Sequence, residues 1–337
     1  MTVKVAINGF GRIGRNVLRA IVESGRTDIE VVAINDLGPV ETNAHLLRYD
    51  SIHGKFPATV KVEGDTITVG NGKPIKVTAI KDPATLPHKE LGVDIAMECT
   101  GIFTSRDKAA AHLDAGAPLV IVSAPSDGAD ATFVYGVNHK DFNPRVHKVV
   151  SNASCTTNCF VPLVKVLDDA FGVEQGLMTT IHAYTGDQSL VDGPHKDLRR
   201  ARAAAINIVP TSTGAARATG LVLEAMKGKL DGTSLRVPVP TGSITDFVGV
   251  LKTEVTVEQI NEAYKAAASE GRLKAVLEYS EAPLVSSDIV GTPYSCTFDS
   301  GLTMAMGNLV KVLGWYDNEW GYSSRLVNLV KLVGTDA

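Results

Sequence analysis

Three glycines near the beginning of the chain limit its fold more than any other feature. Gly9, Gly11 and Gly14 lie in the segment NGFGRIG, after the apolar run VKVAI and before a helix-compatible run that begins at Arg15. At such a strand-to-helix turn, the first glycine permits the tight turn, the second lets backbone approach a pyrophosphate, and the third lets the helix pack on the strand. The pattern predicts a dinucleotide cradle within a Rossmann-type, doubly wound parallel sheet.

The second strand of this sheet is predicted to lead into an acidic residue. Residues 29–34 (IEVVAI) read as a buried strand, and Asp36 follows it, roughly 20 residues beyond Gly14. A carboxylate at this place can bind both ribose hydroxyls of a dinucleotide and repels a 2′-phosphate. The sequence therefore predicts NAD as the cofactor in preference to NADP.

Two more buried strands are predicted at residues 93–101 and 117–126, and both end in small residues. Between the strand of residues 29–34 and this pair, Asn71 and Gly72 predict a hairpin, which we interpret as an antiparallel excursion from the wound sheet. Ligands bind at the carboxyl edge of a parallel sheet. The strand-end residues expected to line the cofactor groove are Thr100, Gly101, Ser123 and Ala124.

A cysteine among small hydroxyl residues is the candidate nucleophile. Cys155 follows Ser154 and precedes Thr156 and Thr157, and an apolar, helix-compatible run continues from there. The unpaired N–H groups and the dipole of a helix N-terminus stabilise a thiolate and can lower the cysteine pKa well below ~8.5. We therefore predict an anionic Cys155 at the start of a helix. The alternative is a small buried cysteine that only packs.

A histidine and a basic segment follow the cysteine. The strand predicted at residues 177–183 carries His182 and leads to Thr185. A lone histidine on a strand is more often structural, but an activated cysteine needs a base, which makes His182 the candidate. Residues 187–210 have no clear period and carry Arg200 among several basic side chains. Such a segment favours a binding loop or an interface over an idle linker.

The remainder of the second half indicates an α+β domain with a mainly antiparallel sheet. Residues 211–217 (TSTGAAR) predict a helix start whose hydroxyl groups suit phosphate, and residues 235–240 place Arg236 on a strand. Thr256 and Gln259 predict a capping box. The predicted domains are an NAD-binding domain at residues 1–153, completed by the C-terminal helix at 319–337, and a catalytic domain at 154–318.

Charge and composition exclude several classes of protein. The 33 Lys and Arg residues against 37 Asp and Glu residues give a net charge of −4, so nucleic acid is not expected as a partner. No secretory signal is visible at the start of the sequence, and no stretch is long enough to span a bilayer. The four cysteines do not suggest a disulfide framework. We expect a cytoplasmic protein that has no membrane partner.

Eight motifs occur in the order in which phosphorylating glyceraldehyde-3-phosphate dehydrogenases carry them, and the chain resembles this family from its first strand to its final helix. The motifs are NGFGRIG, AIND, ECTG, ASCTTNC, HAYTGDQ, PTSTGAA, RVPVP and YDNEWGYS. The resemblance implies a glycolytic oxidoreductase that oxidises glyceraldehyde 3-phosphate with NAD and inorganic phosphate to 1,3-bisphosphoglycerate. It also implies that Cys155 forms a thiohemiacetal and then a thioester, with His182 as the base.

The resemblance also assigns binding residues. Besides the glycines and Asp36, it implies that Asn318 binds the nicotinamide carboxamide. The other cofactor contacts that it adds are Arg12, Ile13, Lys81, Ser123 and Tyr322. It gives the substrate's phosphate ester to Thr185 and Arg236, with Arg200 between or near the two anion pockets. The residues implied for the attacking phosphate are Ser154, Thr156, Thr213 and Gly214. In a homotetramer of the family type, residues 184–209 are expected at subunit interfaces.

Three other interpretations are compatible with parts of the sequence. An erythrose-4-phosphate dehydrogenase would use the same chemistry without a phosphate-dependent step, but the hydroxyl residues around Cys155 favour phosphorolysis. A dinucleotide-dependent binding or regulatory protein would not need both Cys155 and His182. A metal enzyme is disfavoured and no metal is predicted, because Cys155 and Cys159 have no second Cys/His pair at ligand spacing.

Gly193 stands where many NAD-specific bacterial members have leucine, which removes one steric objection to NADP.

Overall fold

The computed structural model describes residues 2–335, which form two compact units. The first unit comprises residues 2–133, 139–153 and 323–335, and the second comprises residues 134–138 and 154–322. The predicted domain bounds also take in residues 1, 336 and 337, which lie outside the described residues. No helix within residues 2–335 is long and apolar enough to cross a membrane.

The first unit contains a nine-stranded sheet and a separate two-stranded ribbon, β3 with β4, which comes between β2 and β5 in the sequence. Its strands are β1 Val3–Asn8, β2 Ile29–Asn35, β3 Tyr49–Asp50, β4 Gly54–Lys55, β5 Val60–Glu63, β6 Thr66–Val69, β7 Ile75–Thr78, β8 Ile95–Glu98, β9 Leu119–Val122, β10 Ala131–Thr132 and β11 Val149–Ser151. Its helices before residue 154 are α1 Arg12–Glu23, α2 Val40–Arg48, α3 His88–Leu91, α4 Arg106–Ala109 and α5 Ala111–Asp114.

The order of the nine strands confirms the doubly wound topology. The sheet runs β10-β11-β9-β8-β1-β2-β7-β6-β5, and it is parallel from β10 to β7. The predicted hairpin is the antiparallel pair β6 and β7, to which β5 adds. Every residue of β8 and β9 is buried, as expected for parallel strands covered on both faces. Strand β2 lies on one side of β1 and strand β8 on the other, so the strand order reverses at β1. Ligands bind at such a switch point in doubly wound sheets.

The glycine turn after β1 is closely packed at two of its three glycines. Gly9 has a φ of +90°, and a Cβ atom there would lie 2.6 Å from the backbone nitrogen of Thr100. A Cβ atom on Gly14 would lie 2.1 Å from the carbonyl oxygen of Gly9, so α1 packs directly on the turn. Gly11 has open space around its Cα atom and an ordinary φ of −71°. The structure therefore requires Gly9 and Gly14 for packing and leaves the surroundings of Gly11 open to a ligand.

The second unit contains an eight-stranded sheet. Its strands are β12 Val173–Ala183, β13 Val209–Ser212, β14 Leu230–Val237, β15 Ser243–Leu251, β16 Leu277–Ser280, β17 Cys296–Asp299, β18 Met304–Met306 and β19 Leu309–Tyr316. Its helices are α6 Cys155–Phe171, α7 Ala215–Ala218 and α8 Val257–Ser269, and they are followed by α9 Trp320–Thr335, most of which belongs to the first unit.

The second sheet is mainly antiparallel, as predicted, with two parallel pairs. Seven strands follow the order β13-β14-β12-β15-β19-β17-β16, and the eighth, β18, pairs with β19 beside this path. The parallel pairs are β12 with β14 and β16 with β17. Residues of β15 alternate between buried and less buried positions, because one face is covered and α6 packs against it. The capping box at the start of α8 is confirmed: Gln259 N–H donates to Thr256 Oγ1 over 3.3 Å, and Thr256 N–H donates to Gln259 Oε1 over 2.9 Å.

One predicted element start was wrong. Thr211 lies in β13 and not at a helix start, because it pairs with Ser234 of β14; the short helix α7 begins after Gly214. The last helix begins at Trp320, one residue after the predicted start at 319. Asp317 fixes this start, since its Oδ1 accepts hydrogen bonds of 2.8 Å from the N–H groups of Glu319 and Trp320.

Candidate active site

A cavity of about 460 Å³ opens at the carboxyl ends of the parallel strands in the first unit. Five of the residues predicted to bind the cofactor line it: Gly9, Gly11, Asp36, Lys81 and Thr100. They come from the loops after β1, β2, β7 and β8. The switch point of the sheet, the open space at Gly11 and this cavity together fit a dinucleotide.

The backbone holds Asp36 at the edge of this cavity. Its Oδ2 accepts a hydrogen bond of 2.9 Å from the N–H of Phe10, and its Oδ1 accepts one of 2.9 Å from the N–H of Gly38. Each oxygen keeps a further lone pair, so the carboxylate can still accept from a pair of ribose hydroxyls. The fixed negative charge supports the predicted preference for NAD.

Two of the other predicted cofactor residues of the first unit, Arg12 and Ile13, directly follow the glycine turn, and Ser123 lies at another strand end. Arg12 is the first residue of α1, and its guanidinium group forms an ion pair with Asp50 over 2.5 Å. Burial alone would raise the pKa of Asp50, but hydrogen bonds from Arg12 and from backbone N–H groups hold it at about 2. Ile13 is half-buried in α1, and Ser123 directly follows β9. Arg12 can therefore bind an anionic ligand only if its guanidinium group contacts the ligand and Asp50 together or breaks its ion pair with Asp50.

Cys155 is the first residue of α6, as predicted. Ser154 is the N-cap: its Oγ accepts a hydrogen bond of 3.0 Å from the N–H of Thr157. Ala153, just before the cap, has a φ of +54°, the one non-glycine residue of the described chain with a positive φ. This turn connects the buried strand β11 to the start of α6, and it leaves Cys155 Sγ facing β12.

His182 lies on β12 with its ring against the cysteine. The distance from Cys155 Sγ to His182 Nε2 is 3.4 Å. On the other side of the ring, Nδ1 lies 2.6 Å from the carbonyl oxygen of Ala183. A carbonyl can only accept, so Nδ1 carries the proton, and in the neutral ring Nε2 offers its lone pair to the sulfur. The hydrogen bonds thus orient His182 as a base.

Burial acts on the charge state of the pair. It raises the pKa of the Cys155 thiol, and the positive charge of Arg236 opposes this effect. Burial, with the nearby charge of Arg236, lowers the pKa of His182 to about 3. Desolvation therefore works against the predicted thiolate, whereas the helix N-terminus and Arg236 favour it.

The residues predicted to bind the substrate's phosphate ester are brought together. Arg236 Nη1 donates to Thr185 Oγ1 over 2.8 Å, and Arg200 Nη1 donates to Asp187 Oδ2 over 2.7 Å. The Thr185 hydroxyl also donates to Asp187. Asp187 thus contacts both Thr185, a predicted ligand of the ester, and Arg200, which was predicted between or near the two anion pockets; the sequence did not reveal this role. Arg200 Nε also lies 3.7 Å from Asp197 Oδ2, so two guanidinium groups face two carboxylates, and a phosphate that displaced Asp187 would meet net positive charge.

The residues assigned to the attacking phosphate are hydroxyls and backbone at two helix starts. Gly214 is the N-cap of α7, and Thr213 Oγ1 accepts a hydrogen bond of 3.2 Å from the N–H of Ala215. The Ser154 oxygen accepts from the Thr157 N–H and also lies 2.7 Å from the Thr157 hydroxyl, so Ser154 can donate to an anion when Thr157 is the donor of that pair. Thr156 is different, since its buried hydroxyl lies 2.8 Å from the hydroxyl of Tyr316. Thr156 would reach an anion through its backbone or by breaking that contact.

Tyr316 is a second residue whose role the sequence did not indicate. Its hydroxyl joins Thr156 to Thr180 of β12, over 2.8 and 2.7 Å, and its ring meets the His182 ring edge-on at a centroid distance of 5.9 Å. Tyr316 is buried near the end of β19. Only the three-dimensional pairing of strands reveals that it braces both sides of the cysteine–histidine pair.

Asn318 has a fixed orientation in the second unit. Its Oδ1 accepts hydrogen bonds from the N–H of Gly242 over 3.2 Å and from the hydroxyl of Ser243 over 2.9 Å. Because a backbone N–H can only donate, these contacts fix the oxygen and turn the amide nitrogen the other way. That nitrogen is the group that can donate to a carboxamide oxygen. Tyr322, the other residue implied for this part of the cofactor, is buried in α9.

A doubly wound dinucleotide-binding sheet and a buried cysteine–histidine pair in one chain define the class of dinucleotide-dependent oxidoreductases that use a cysteine nucleophile. Comparison with known families narrows this class. Residues 3–106 match the NAD-binding domain of glyceraldehyde 3-phosphate dehydrogenase, and residues 154–318 match its C-terminal domain. The chain belongs to the glyceraldehyde-3-phosphate dehydrogenase family.

Individual relatives agree over nearly the whole length. A glyceraldehyde-3-phosphate dehydrogenase from Xanthobacter flavus is 66% identical over 335 residues, and one from Streptomyces coelicolor is 60% identical over 335 residues. A third, from Mycobacterium avium, is 61% identical over 339 residues. Each alignment covers 99% of this chain and 99% of the relative.

Replacing His182 by asparagine should make the stability of the protein less sensitive to acid. The pKa of His182 is about 3 in the folded chain and near ~6.5 in an unfolded one. Unfolding therefore takes up a proton between these values, and the histidine costs stability as the pH falls from about 6.5 towards 3. Without it, the slope of the unfolding free energy against pH should be smaller by up to about 1.4 kcal/mol per unit.

Denaturant titrations of both proteins between roughly pH 4 and pH 6 measure this slope. Equal slopes would contradict a neutral, buried His182.

Proposed function

We propose that this protein is an NAD-dependent phosphorylating dehydrogenase that converts glyceraldehyde 3-phosphate and inorganic phosphate to 1,3-bisphosphoglycerate, as a cytoplasmic enzyme of glycolysis or gluconeogenesis. One observation carries this proposal: Cys155 Sγ lies 3.4 Å from the unprotonated Nε2 of His182, and Nδ1 is held by a carbonyl oxygen. An oriented base beside a thiol is what covalent oxidation of an aldehyde requires.

The neutral pair sets the order of proton transfers. As Sγ attacks the aldehyde carbon, the thiol proton passes to His182 Nε2, which then protonates the resulting alkoxide to give a thiohemiacetal. Nε2 next takes the hydroxyl proton as the carbon is oxidised to a thioester. When phosphate attacks the thioester, the departing sulfur recovers its proton from the imidazolium. Each step uses the same nitrogen, so no ring rotation is needed.

The bound NAD supplies the acceptor for the hydride. The residues that we propose to hold it are Gly9, Gly11, Arg12, Ile13, Gly14, Asp36, Lys81, Thr100, Ser123, Asn318 and Tyr322. In the first unit, the cavity beside Gly11 and the anchored carboxylate of Asp36 support this set. In the second, the fixed amide of Asn318 supports its assignment to the nicotinamide carboxamide.

The two anions are assigned to different groups of residues. Thr185 and Arg236 would hold the phosphate ester of the substrate, with Arg200 adding positive charge between or near the two anion sites; the ester would displace Asp187. The attacking phosphate would be held by Ser154, Thr156, Thr213 and Gly214. An erythrose-4-phosphate dehydrogenase remains the closest rival in chemistry, but the names of the relatives do not favour it.

Sustained NAD reduction with glyceraldehyde 3-phosphate should require phosphate or arsenate. In the absence of both, the thioester accumulates, and NADH formation should stop at about one equivalent per active site, apart from slow hydrolysis. Stopped-flow absorbance at the NADH band, with and without phosphate, measures this. An equal sustained rate in the two conditions would exclude the phosphorylating assignment.

Replacing Cys155 by serine should abolish turnover and leave NAD binding largely intact. His182→Asn should lower kcat by about 10²- to 10⁴-fold, and its residual rate should rise with pH, because hydroxide must now form a thiolate whose pKa burial has raised. Steady-state kinetics and NAD titrations separate these effects. Cys159→Ser, one turn along the same helix, is the matched control and should stay active. Full activity in Cys155→Ser would exclude the covalent mechanism.

We further propose a homotetramer, because the second unit exposes two separate apolar surfaces. One is the outer face of the sheet, where Leu177, Val248 and Leu309 project from β12, β15 and β19 beside a cavity of about 980 Å³. The other lies in residues 184–209, where Leu190 is 79% and Leu198 is 82% exposed. Large exposed apolar patches mark interfaces. Two different self-complementary interfaces generate a tetramer with dihedral symmetry.

Changing one surface at a time should therefore stop assembly at dimers. Val248→Glu on the sheet face and Leu198→Asp in residues 184–209 should each reduce the particle from four subunits to two, since a buried charge at an interface is costly. Val146→Lys is the control: Val146 is similarly exposed, at 60%, but lies in neither surface. Sedimentation velocity measures the mass. An unchanged tetramer in both interface variants, or a monomeric parent protein, would contradict the proposal.

A further inference from the structure

Four adjacent parallel strands of the first unit each end in a polar side chain. Glu98, Asn8, Asn35 and Thr78 are the last residues of β8, β1, β2 and β7. The strand register sets them side by side: Asn8 pairs with both Glu98 and Asn35, and Asn35 pairs with Thr78. We call these four residues the polar ladder. It runs along the carboxyl edge of the sheet, where the dinucleotide cavity opens.

Hydrogen bonds join the members of the ladder without a break. Asn8 Nδ2 donates to Glu98 Oε2 over 2.6 Å, Asn35 Nδ2 donates to Asn8 Oδ1 over 2.7 Å, and Thr78 Oγ1 donates to Asn35 Oδ1 over 2.8 Å. The Glu98 carboxylate can only accept, and the backbone N–H of Ile80, which also donates to Asn35 Oδ1 over 2.8 Å, can only donate. These two ends fix the orientation of both amides.

Each member of the ladder holds or adjoins a loop that lines the cavity. Glu98 Oε1 accepts hydrogen bonds from the backbone N–H of Thr100, over 2.8 Å, and from its hydroxyl. Asn35 binds both the N–H and the carbonyl oxygen of Ile80, directly before Lys81. Asn8 precedes Gly9, and Asn35 precedes Asp36. The ladder residues therefore bind, or directly precede, the four loops that carry the predicted cofactor residues of this cavity.

Three of the four ladder residues are buried, so the hydrogen bonds among them are not exchanged for water. Glu98, Asn8 and Asn35 are at most 8% exposed. Behind Glu98, Oε2 lies 3.0 Å from His112 Nε2, and His112 Nδ1 lies 2.9 Å from His88 Nε2, both rings being buried. A buried donor or acceptor that loses its partner is costly, so a change in one member must shift its neighbours.

We propose that the polar ladder sets the affinity for the dinucleotide by fixing these four loops, with Glu98 as its principal positioning residue; this inference rests on the proposed binding of NAD to the cavity. The ladder residues act through Gly9, Asp36, Lys81 and Thr100. They preorganise the cavity, which lowers the ordering cost that the cofactor would otherwise meet on binding.

The test is Glu98→Gln in the full-length protein. An amide cannot accept from both Thr100 and Asn8 without setting its own N–H groups against one of them, so one loop is released. The dissociation constant and the KM for NAD should both rise about tenfold, while kcat changes by less than about twofold because the cysteine–histidine pair is untouched. Asp94→Asn is the matched control: Asp94 joins the same two strands at their other edge, where its Oδ2 accepts from Lys4 N–H over 2.7 Å.

Asp94→Asn should lower the melting temperature and leave the KM for NAD unchanged. An equal rise in KM in the control would mean that Glu98 matters only for stability, and would overturn the proposal. So would unchanged NAD binding in Glu98→Gln while the parent protein binds NAD normally. A parent protein that neither binds nor reduces NAD would instead count against the proposed function.

A milder variant covers the case in which Glu98→Gln does not fold. Thr78→Val removes only the hydroxyl at the half-buried end of the ladder and should raise the KM for NAD about threefold. Thr66→Val, in the neighbouring hairpin, removes a hydroxyl that donates to the carbonyl oxygen of Glu63 and should have no effect on NAD. An unchanged KM in a folded Thr78→Val protein would also overturn the proposal.

Discussion

The hydrogen bond between His182 Nδ1 and the carbonyl oxygen of Ala183 determines what the second unit can do chemically. It fixes the tautomer, and the tautomer decides that Nε2 faces Cys155 as a lone pair and not as an N–H group. Strand β12 supplies both partners of this bond, so the base is oriented by main-chain geometry. The rest of the site, including Tyr316 and the arginines, surrounds an arrangement that the strand has already set.

Burial gives the pair a reactivity different from that of an exposed thiolate. A resting thiolate is nucleophilic but also open to oxidation, whereas a thiol beside a neutral base becomes an anion only as it reacts. The helix N-terminus and Arg236 favour the anion, and desolvation opposes them more strongly. The positive charges then serve mainly to stabilise charge that develops on the substrate.

Much of the fold and of the candidate site could be predicted from local patterns. The glycines of the turn, the uninterrupted apolar strands, the capping box at Thr256 and the helix start at Cys155 each depend on residues close together in the chain. Asp187, Tyr316 and the polar ladder could not be found in this way. The partners of Tyr316 and of the ladder residues lie on other strands or on helix α6, and only the packing of these elements brings them together. Asp187 meets Arg200, 13 residues further along, within a segment that has no periodic pattern. Local sequence likewise reveals the helix N-terminus at Cys155 but not how deeply the thiol is buried.

Asp187 would give the proposed anion pocket a built-in counter-ion. Because its carboxylate already pairs with Arg200 and accepts from the Thr185 hydroxyl, an arriving anion replaces one negative group by another and does not meet bare positive charge. The electrostatic gain is then only the difference between the newcomer and a single carboxylate. A doubly charged phosphate ester wins that exchange, whereas chloride or a metabolite carboxylate gains little from it. The proposed pocket would thus select its ligands by their charge as well as by their shape.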